Sequence, residues 1–347
     1  MGARFPFASY PRGWFAVALA GDVAAGAVTT VHHFGQDIVL FRGASGGLAA
    51  VDHACPHLGA HLGVGWVEDD CLRCPVHAWG FDGAGRCIDI PGVSRIPAKA
   101  AVAAWPLREA AGVALVYHCP DGEAPTWEPP GEAGVWTLDR ARRWQVASHP
   151  QEVAEWLIDG VHRRAGVDPE IVEARHALRL VWRAAGGEST VTLHGLGVAL
   201  VTHTTGAGAE LRRIYTTPIS AERVAVFGSH CATDEALAAE GFLAFTAEVA
   251  RDLPILATKA YLDQPTLLAG DGPIARFRRW ARQFYATTTA RPETASREQR
   301  GAQVRLGEWL RRTDASSQPA ESDAGPSPED ETSATPTQED PPDRVVH

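Results

Sequence analysis

Two short segments, Cys55-Pro56-His57-Leu58-Gly59 and Cys74-Pro75-Val76-His77, carry the strongest signal in this chain. Each segment holds one cysteine and one histidine, separated by one residue in the first and by two in the second. Proline follows both cysteines, and Gly59 and Gly63 follow the first pair, so we predict that each segment forms a tight turn. Two such turns side by side offer two thiolates and two imidazoles to a metal.

Two kinds of metal site use this set of ligands. A structural zinc site usually pairs its ligands as Cys-x2–4-Cys and His-x3–5-His, which neither segment does. A Rieske [2Fe–2S] cluster takes two cysteines on one iron and two histidines on the other. We therefore predict that Cys55, His57, Cys74 and His77 bind a Rieske cluster, with zinc as the alternative. Histidine ligation raises the reduction potential from about −400 mV to about −150 mV or higher, which suits a carrier of single electrons.

Length and charge indicate about two domains followed by an acidic segment. The chain has 347 residues, of which 45% are hydrophobic, enough for two packed cores. Most of the net charge of −10 lies in residues 314–347, where nine acidic residues accompany one basic residue. This segment is rich in Pro, Ser and Thr and is predicted to be disordered. No basic stripe indicates a nucleic-acid partner.

The cysteines and the N-terminus favour a cytoplasmic location. We find no apolar run suited to a signal peptide, and none long enough for a transmembrane segment. Four further cysteines lack partners at metal-ligand spacing and are expected to be core thiols: Cys71, Cys87, Cys119 and Cys231. Unpatterned cysteines fit a reducing compartment.

The order of strands and helices predicts an α+β protein. Residues 1–125 are expected to form an N-terminal antiparallel β domain with the two metal-binding turns at its tip, followed by a proline-rich linker. Residues 126–313 are expected to form an α+β domain in which helices cover an antiparallel sheet. Its first helix is predicted to start at Pro150, and later helices at about 234–260, 272–285 and 296–312.

Residues 10–290 resemble the Rieske non-haem iron oxygenases, in particular the 3-ketosteroid 9α-hydroxylase oxygenase components and the cholesterol 7-desaturases. The resemblance rests on residues 55–63, 70–79, 90–91, 96–97, 270–274 and 277–280. It implies a [2Fe–2S] cluster, a mononuclear Fe(II), a ferredoxin or flavin reductase as electron donor, and a steroid-like or polycyclic apolar substrate. It also implies a trimer, in which the cluster of one subunit serves the iron of its neighbour.

The resemblance assigns three residues to the mononuclear iron. The family pattern for the iron helix is E-N-x-x-D-x-x-H-x-x-x-x-H, which corresponds to residues 155–167. Asp159 matches the acidic residue that bridges from His77 of the cluster to the iron, and His162 matches the first histidine ligand. Asp252, within the segment Arg251-Asp252-Leu253-Pro254-Ile255, corresponds to the carboxylate ligand.

The chain departs from this pattern at two positions. Val167 stands where the second histidine ligand is expected, and Trp156 stands where the asparagine is expected. Valine cannot bind a metal, so a complete iron site would need a replacement ligand. Asp168 and His176 are the candidates in the following residues.

Two functions follow from this departure. The chain is either an oxygenase component that hydroxylates or desaturates its substrate at an unusual iron site, or a catalytically degenerate electron-relay or structural subunit. In the second case its cluster serves the intact iron of a paralogous oxygenase in a mixed trimer. Whether the chain is itself an enzyme depends on this second metal.

Overall fold

The computed structural model describes residues 4–7, 9–131, 140–206, 208–268 and 271–286. The helix expected at 296–312 and the acidic segment 314–347 lie outside these residues. The first strands are β1 (Gly13–Leu19), β2 (Val28–His33), β3 (Gln36–Arg42), β4 (Leu48–Asp52), β5 (Trp66–Glu68), β6 (Cys71–Arg73), β7 (Gly80–Phe81), β8 (Cys87–Asp89), β9 (Leu107–Ala110) and β10 (Val113–His118).

The remaining elements belong to the second half of the chain. Its strands are β11 (Arg140–Val146), β12 (Glu170–Glu173), β13 (Ala177–Ala184), β14 (Gly187–His194), β15 (Val198–Thr205), β16 (Gly208–Ser220) and β17 (Arg223–Ala232). Its α-helices are α1 (Pro150–Ala165), α2 (Glu235–Thr258) and α3 (Gly272–Ala281).

The first ten strands form three small antiparallel sheets, ordered β1-β10-β9, β2-β3-β4 and β5-β6-β7-β8. Phe41, Leu62, Leu72 and Phe81 pack together beneath the two metal-binding segments. Those segments connect β4 to β5 and β6 to β7, so both emerge at the same end of the domain. The predicted N-terminal antiparallel β architecture is confirmed.

The last seven strands form one antiparallel sheet, ordered β11-β17-β16-β15-β14-β13-β12. Its inner face and the three helices enclose the main core, which includes Trp182, Val191, Phe245, Phe277 and Trp280. The predicted α+β arrangement of helices on an antiparallel sheet is therefore confirmed. Within the described residues, no helix is both long enough and apolar enough to cross a bilayer.

Helix α1 begins and ends where local chemistry requires. His149 caps its start, because its Nδ1 accepts the N–H of Gln151 at 3.3 Å, and Pro150 occupies the first turn. Gly166 ends the helix in the left-handed region, at φ +65°. The start predicted at Pro150 is confirmed, and Val167 falls beyond the helix end, in an exposed turn.

The two halves share an apolar contact. Trp14 and Tyr117 of the first half pack with Tyr215 and Phe227 of the large sheet. The indole N–H of Trp14 also donates to the carbonyl of Trp127 in the proline-rich linker, at 2.8 Å. The linker is therefore anchored against both halves.

Candidate cluster site and the adjoining helix pair

The two metal-binding loops repeat one backbone pattern. The N–H of Gly59 donates to the carbonyl of Cys55 at 2.9 Å, and the N–H of Ala78 donates to the carbonyl of Cys74 at 3.0 Å. In both loops the cysteine N–H donates to the carbonyl five residues later, at 2.9 Å. Gly59 and Ala78, at equivalent positions, have positive φ values of 77° and 55°. Each loop thus presents a cysteine and then a histidine in a similar frame.

The four predicted ligands form an inner and an outer pair. Cys55 and Cys74 are each only 2% exposed, and their thiols lie within hydrogen-bonding reach of each other. His57 and His77 are exposed at the tip, with ring centroids 4.6 Å apart. Trp79 stacks on His57 at a centroid distance of 4.6 Å and an interplanar angle of 7°, which orients that ring.

This arrangement fits a two-iron cluster better than a single zinc ion. A Rieske cluster needs two cysteines on one iron and two histidines on the other, with sulfide completing each iron. Within the described residues, no group of three or more His, Cys, Asp and Glu side chains is placed to hold one metal ion. Burial raises the pKa of the Cys55 thiol to about 11, so the positive charge of iron is needed to keep this sulfur as a thiolate.

The surroundings of the tip are apolar. Leu58 and Val76, one from each loop, are 75% and 60% exposed. Cys71 and Cys87 are buried nearby, as expected for core thiols, and burial raises the pKa of each. The tip therefore combines two exposed imidazoles with an apolar rim.

At the second predicted metal site, Asp252 is buried and already engaged. The indole N–H of Trp156 on α1 donates to its Oδ2 at 2.9 Å, and Nε of Arg251 donates to its Oδ1 at 2.9 Å. Burial alone would raise the pKa of Asp252, but these hydrogen bonds outweigh burial and hold that pKa below its usual value. The carboxylate is therefore kept ionised by protein donors.

His162 and Asp159 also have protein partners. The indole N–H of Trp182 on β13 donates to Nδ1 of His162 at 3.1 Å. Asp159 forms an ion pair with Arg163, one turn further along α1, at 2.9 Å. The sequence pattern did not indicate that Trp182 would contact His162, because Trp182 occupies an ordinary buried position on its strand.

The suggested replacement ligands do not complete this site. Asp168 lies in the exposed turn after α1, and His176 stacks on Trp127 with ring centroids 5.4 Å apart. Among the described residues, neither His162 nor Asp252 belongs to a group of three or more metal-binding side chains. These residues do not fit a mononuclear iron.

A cavity of about 450 Å³ opens beside the end of α1. Its wall includes the apolar residues Val161, Ala165, Trp182 and Val201 and the polar residues Arg164, Ser189, His203, Glu210 and Arg212. Arg164 and Arg212 both pair with Glu248 on α2. The cavity therefore has one apolar side and one side rich in hydrogen-bonding groups.

Two known families match consecutive parts of the chain. Residues 13–106 match the Rieske [2Fe-2S] domain, and residues 116–285 match the 3-ketosteroid 9alpha-hydroxylase C-terminal domain. The first match supports the cluster and disfavours zinc.

Sequence alignments with named proteins cover up to about four fifths of this chain. The 3-ketosteroid-9-alpha-monooxygenase oxygenase component of Rhodococcus rhodochrous is 28% identical, with 80% of this chain and 84% of that protein aligned. Cholesterol 7-desaturase nvd 2 of Ciona intestinalis is 28% identical over 81% of this chain and 74% of its own length. Cholesterol 7-desaturase nvd of Bombyx mori is 36% identical, but the match spans 48% of this chain and 37% of that protein.

Solved structures share the fold at low sequence identity. Apo dicamba monooxygenase superposes with a TM-score of 0.66 at 18% identity, over 80% of this chain and 98% of that one. NdmA of Pseudomonas putida CBB5 with caffeine gives a TM-score of 0.65 at 15% identity, over 78% and 89%. The loop geometry, the two matched families and the relatives agree that this chain belongs to the Rieske oxygenase family, with a C-terminal domain of the 3-ketosteroid 9α-hydroxylase type.

Proposed function

We propose that this chain is a Rieske oxygenase component, which receives single electrons from a reductase and delivers them for O2-dependent hydroxylation or desaturation of a steroid-like or polycyclic apolar compound. The observation that carries the proposal is the pair of matched loops, with two buried thiols beneath two exposed imidazoles. We place the reaction in the cytoplasm and expect a trimer, homomeric or mixed.

In this proposal the protein provides position, insulation and a docking surface for the cluster. Cys55 and Cys74 would hold one iron of the cluster and His57 and His77 the other, and the bound cluster would supply a one-electron store. The exposed imidazoles form the route for electrons, because they lie nearest to any docked partner. Leu58 and Val76 provide apolar contact area for a ferredoxin or flavin reductase and for the electron acceptor.

The cavity beside α1 is the proposed place for the small molecule. Its volume and apolar side suit a compact ring system, and its polar side suits a keto or hydroxyl group on that ring system. Arg164 and Arg212 share Glu248, and Glu210 in the cavity wall supplies a second carboxylate, so the two arginines face two carboxylates. This favours a neutral substrate with one polar group over an anionic one.

The second candidate is the electron-relay subunit, and a specific observation favours it. Asp252 and His162 each accept a hydrogen bond from a tryptophan, and neither belongs to a group of three metal-binding side chains among the described residues. In a mixed trimer, the cluster of this chain would serve the intact iron of a paralogous subunit.

A reconstitution experiment tests both candidates. The full chain, a reductase and NADH are incubated in air with a 3-ketosteroid or cholesterol, with and without an intact paralogous oxygenase, and products are measured by mass spectrometry. Substrate-dependent product formation that requires the cluster of this chain supports the proposal. Turnover by the single chain would refute the relay candidate, and product formation unaffected by omitting this chain would refute both.

A further inference from the structure

Two tryptophans hold the residues that the resemblance assigns to the second metal. Trp156 on α1 reaches across to Asp252 on α2, with 2.9 Å between Nε1 and Oδ2. Trp182 on β13 reaches His162 on α1, with 3.1 Å between Nε1 and Nδ1. An indole N–H only donates, so each contact uses a lone pair on a group that would otherwise serve as a metal ligand.

We infer that these two contacts, which we call the tryptophan latch, have replaced the mononuclear iron site, so that the chain holds iron only in its cluster. This inference rests on the proposed function and selects its second candidate, the electron-relay subunit, because it determines where the electron of the cluster can go.

The first argument concerns the hydrogen on His162. Because Trp182 donates to Nδ1, the neutral imidazole carries its own hydrogen on Nε2. To bind a metal through Nε2, the ring would have to move that hydrogen to Nδ1, where it would face the indole N–H. Two donors would then oppose each other, and the indole N–H of the buried Trp182 would lose its acceptor.

The second argument concerns the carboxylate and the missing ligand. Each oxygen of Asp252 already accepts a hydrogen bond, one from Trp156 and one from Arg251, and the side chain is buried. Gly166 ends α1 just before Val167, whose side chain is 40% exposed and has no atom that can bind a metal. Fe(II) would therefore share the Asp252 oxygens with these two donors and would gain fewer ligands than a three-residue site provides.

The latch also explains what the substituted residues do instead. Trp156 connects α1 to α2, and Trp182 connects α1 to the large sheet, so the first helix is fixed to both neighbours without a metal. Every copy of the chain has the same latch. A trimer of identical subunits would therefore offer the electron no second iron, and the acceptor must be a different protein with its own redox centre.

Iron binding provides the first test, on the full chain purified without oxygen and checked for acid-labile sulfide. We expect two irons and two sulfides per chain, unchanged after dialysis against Fe(II). The variant Trp156→Asn/Val167→His/Trp182→Phe should bind Fe(II) at least about tenfold more tightly than the parent. Val172→His, at an exposed valine of β12, is the matched control for an added surface histidine. A third tightly held iron in the parent overturns the inference, as does a triple variant that gains no more than the control.

Unfolding in urea provides a test that is independent of iron. If Trp156 and Asp252 are bonded to each other, Trp156→Phe and Asp252→Ala, which has no acceptor, should each lower the midpoint, and the double variant should lower it by less than the sum of the two single losses. Strictly additive losses would overturn the latch. A missing sulfide or a cluster that takes up no electron would instead refute the proposed function, so the two failures are distinguishable.

Discussion

Ala78 adopts φ +55° at the position of its loop where the other cluster loop has Gly59 at φ +77°. Two loops with one shape thus meet the same backbone requirement with different residues. A left-handed conformation costs an ordinary residue about 1–2 kcal/mol and costs glycine almost nothing. The second loop therefore stores strain that the first loop does not.

This difference predicts that exchanging glycine and alanine affects stability more at position 59 than at position 78. Gly59→Ala should lower the free energy of unfolding by about 1–2 kcal/mol, with no steric clash, since an added Cβ meets no atom within 4 Å. Ala78→Gly should change it by less than about 1 kcal/mol, because the relief of strain offsets the added freedom of the unfolded chain. Urea unfolding of cluster-loaded protein measures both. Gly26→Ala, at another open glycine with φ +76°, should lose a similar amount of stability because its backbone has the same conformation; a Gly59→Ala variant as stable as the parent would contradict the account.

Removal of one imidazole should remove the cluster. His77→Ala leaves the outer iron with one protein ligand, so we expect the EPR signal of the reduced cluster and the acid-labile sulfide to fall to background. His32→Ala, which changes a surface histidine paired with Asp37, should keep both. Survival of the signal in His77→Ala would show that the ligand assignment is wrong.

One of the two lysines should be far more important for stability than the other. Lys259 pairs with Glu152 and Glu155 at 2.9 Å each. Glu155 also pairs with Arg278, whereas Glu152, which is 1% exposed, pairs only with Lys259 among the described residues. Lys259→Met should therefore destabilise the fold by about 3 kcal/mol, because it leaves a buried carboxylate unpaired. Lys99→Met, at an exposed site, should change stability by less than about 0.5 kcal/mol; similar losses for both variants would refute this reasoning.

Acid should weaken the fold through His149. Burial lowers the pKa of His149 to about 3, from an ordinary value of 6.5. Between pH 6.5 and about pH 3, His149 binds a proton in the unfolded chain but not in the folded chain. The free energy of unfolding therefore falls as the pH drops, by at most about 1.4 kcal/mol per pH unit for this group. His149→Asn retains a helix-capping acceptor and has no titration. Its urea stability, measured from pH 7 to pH 4, should fall less steeply than that of the parent, and an unchanged slope would contradict the prediction.

The sequence alone predicts much of this molecule, because its strongest signals are local. Ligand spacing in residues 55–77 depends on neighbours in the chain, and Pro150 marks the start of α1 through its own restricted geometry. The latch could not be predicted in this way, because the Trp156–Asp252 and Trp182–His162 contacts join elements that are distant in sequence. Val167 indicated that something was missing, but only the fold shows what occupies the ligands.

A potentiometric titration of the full chain, followed by EPR and accompanied by sulfide analysis, is the most direct test that this protein transfers single electrons through a Rieske cluster. We predict two sulfides per chain and a one-electron reduction at about −150 mV or higher. A chain that contains zinc and no sulfide, or a cluster with a potential near about −400 mV, would contradict the account.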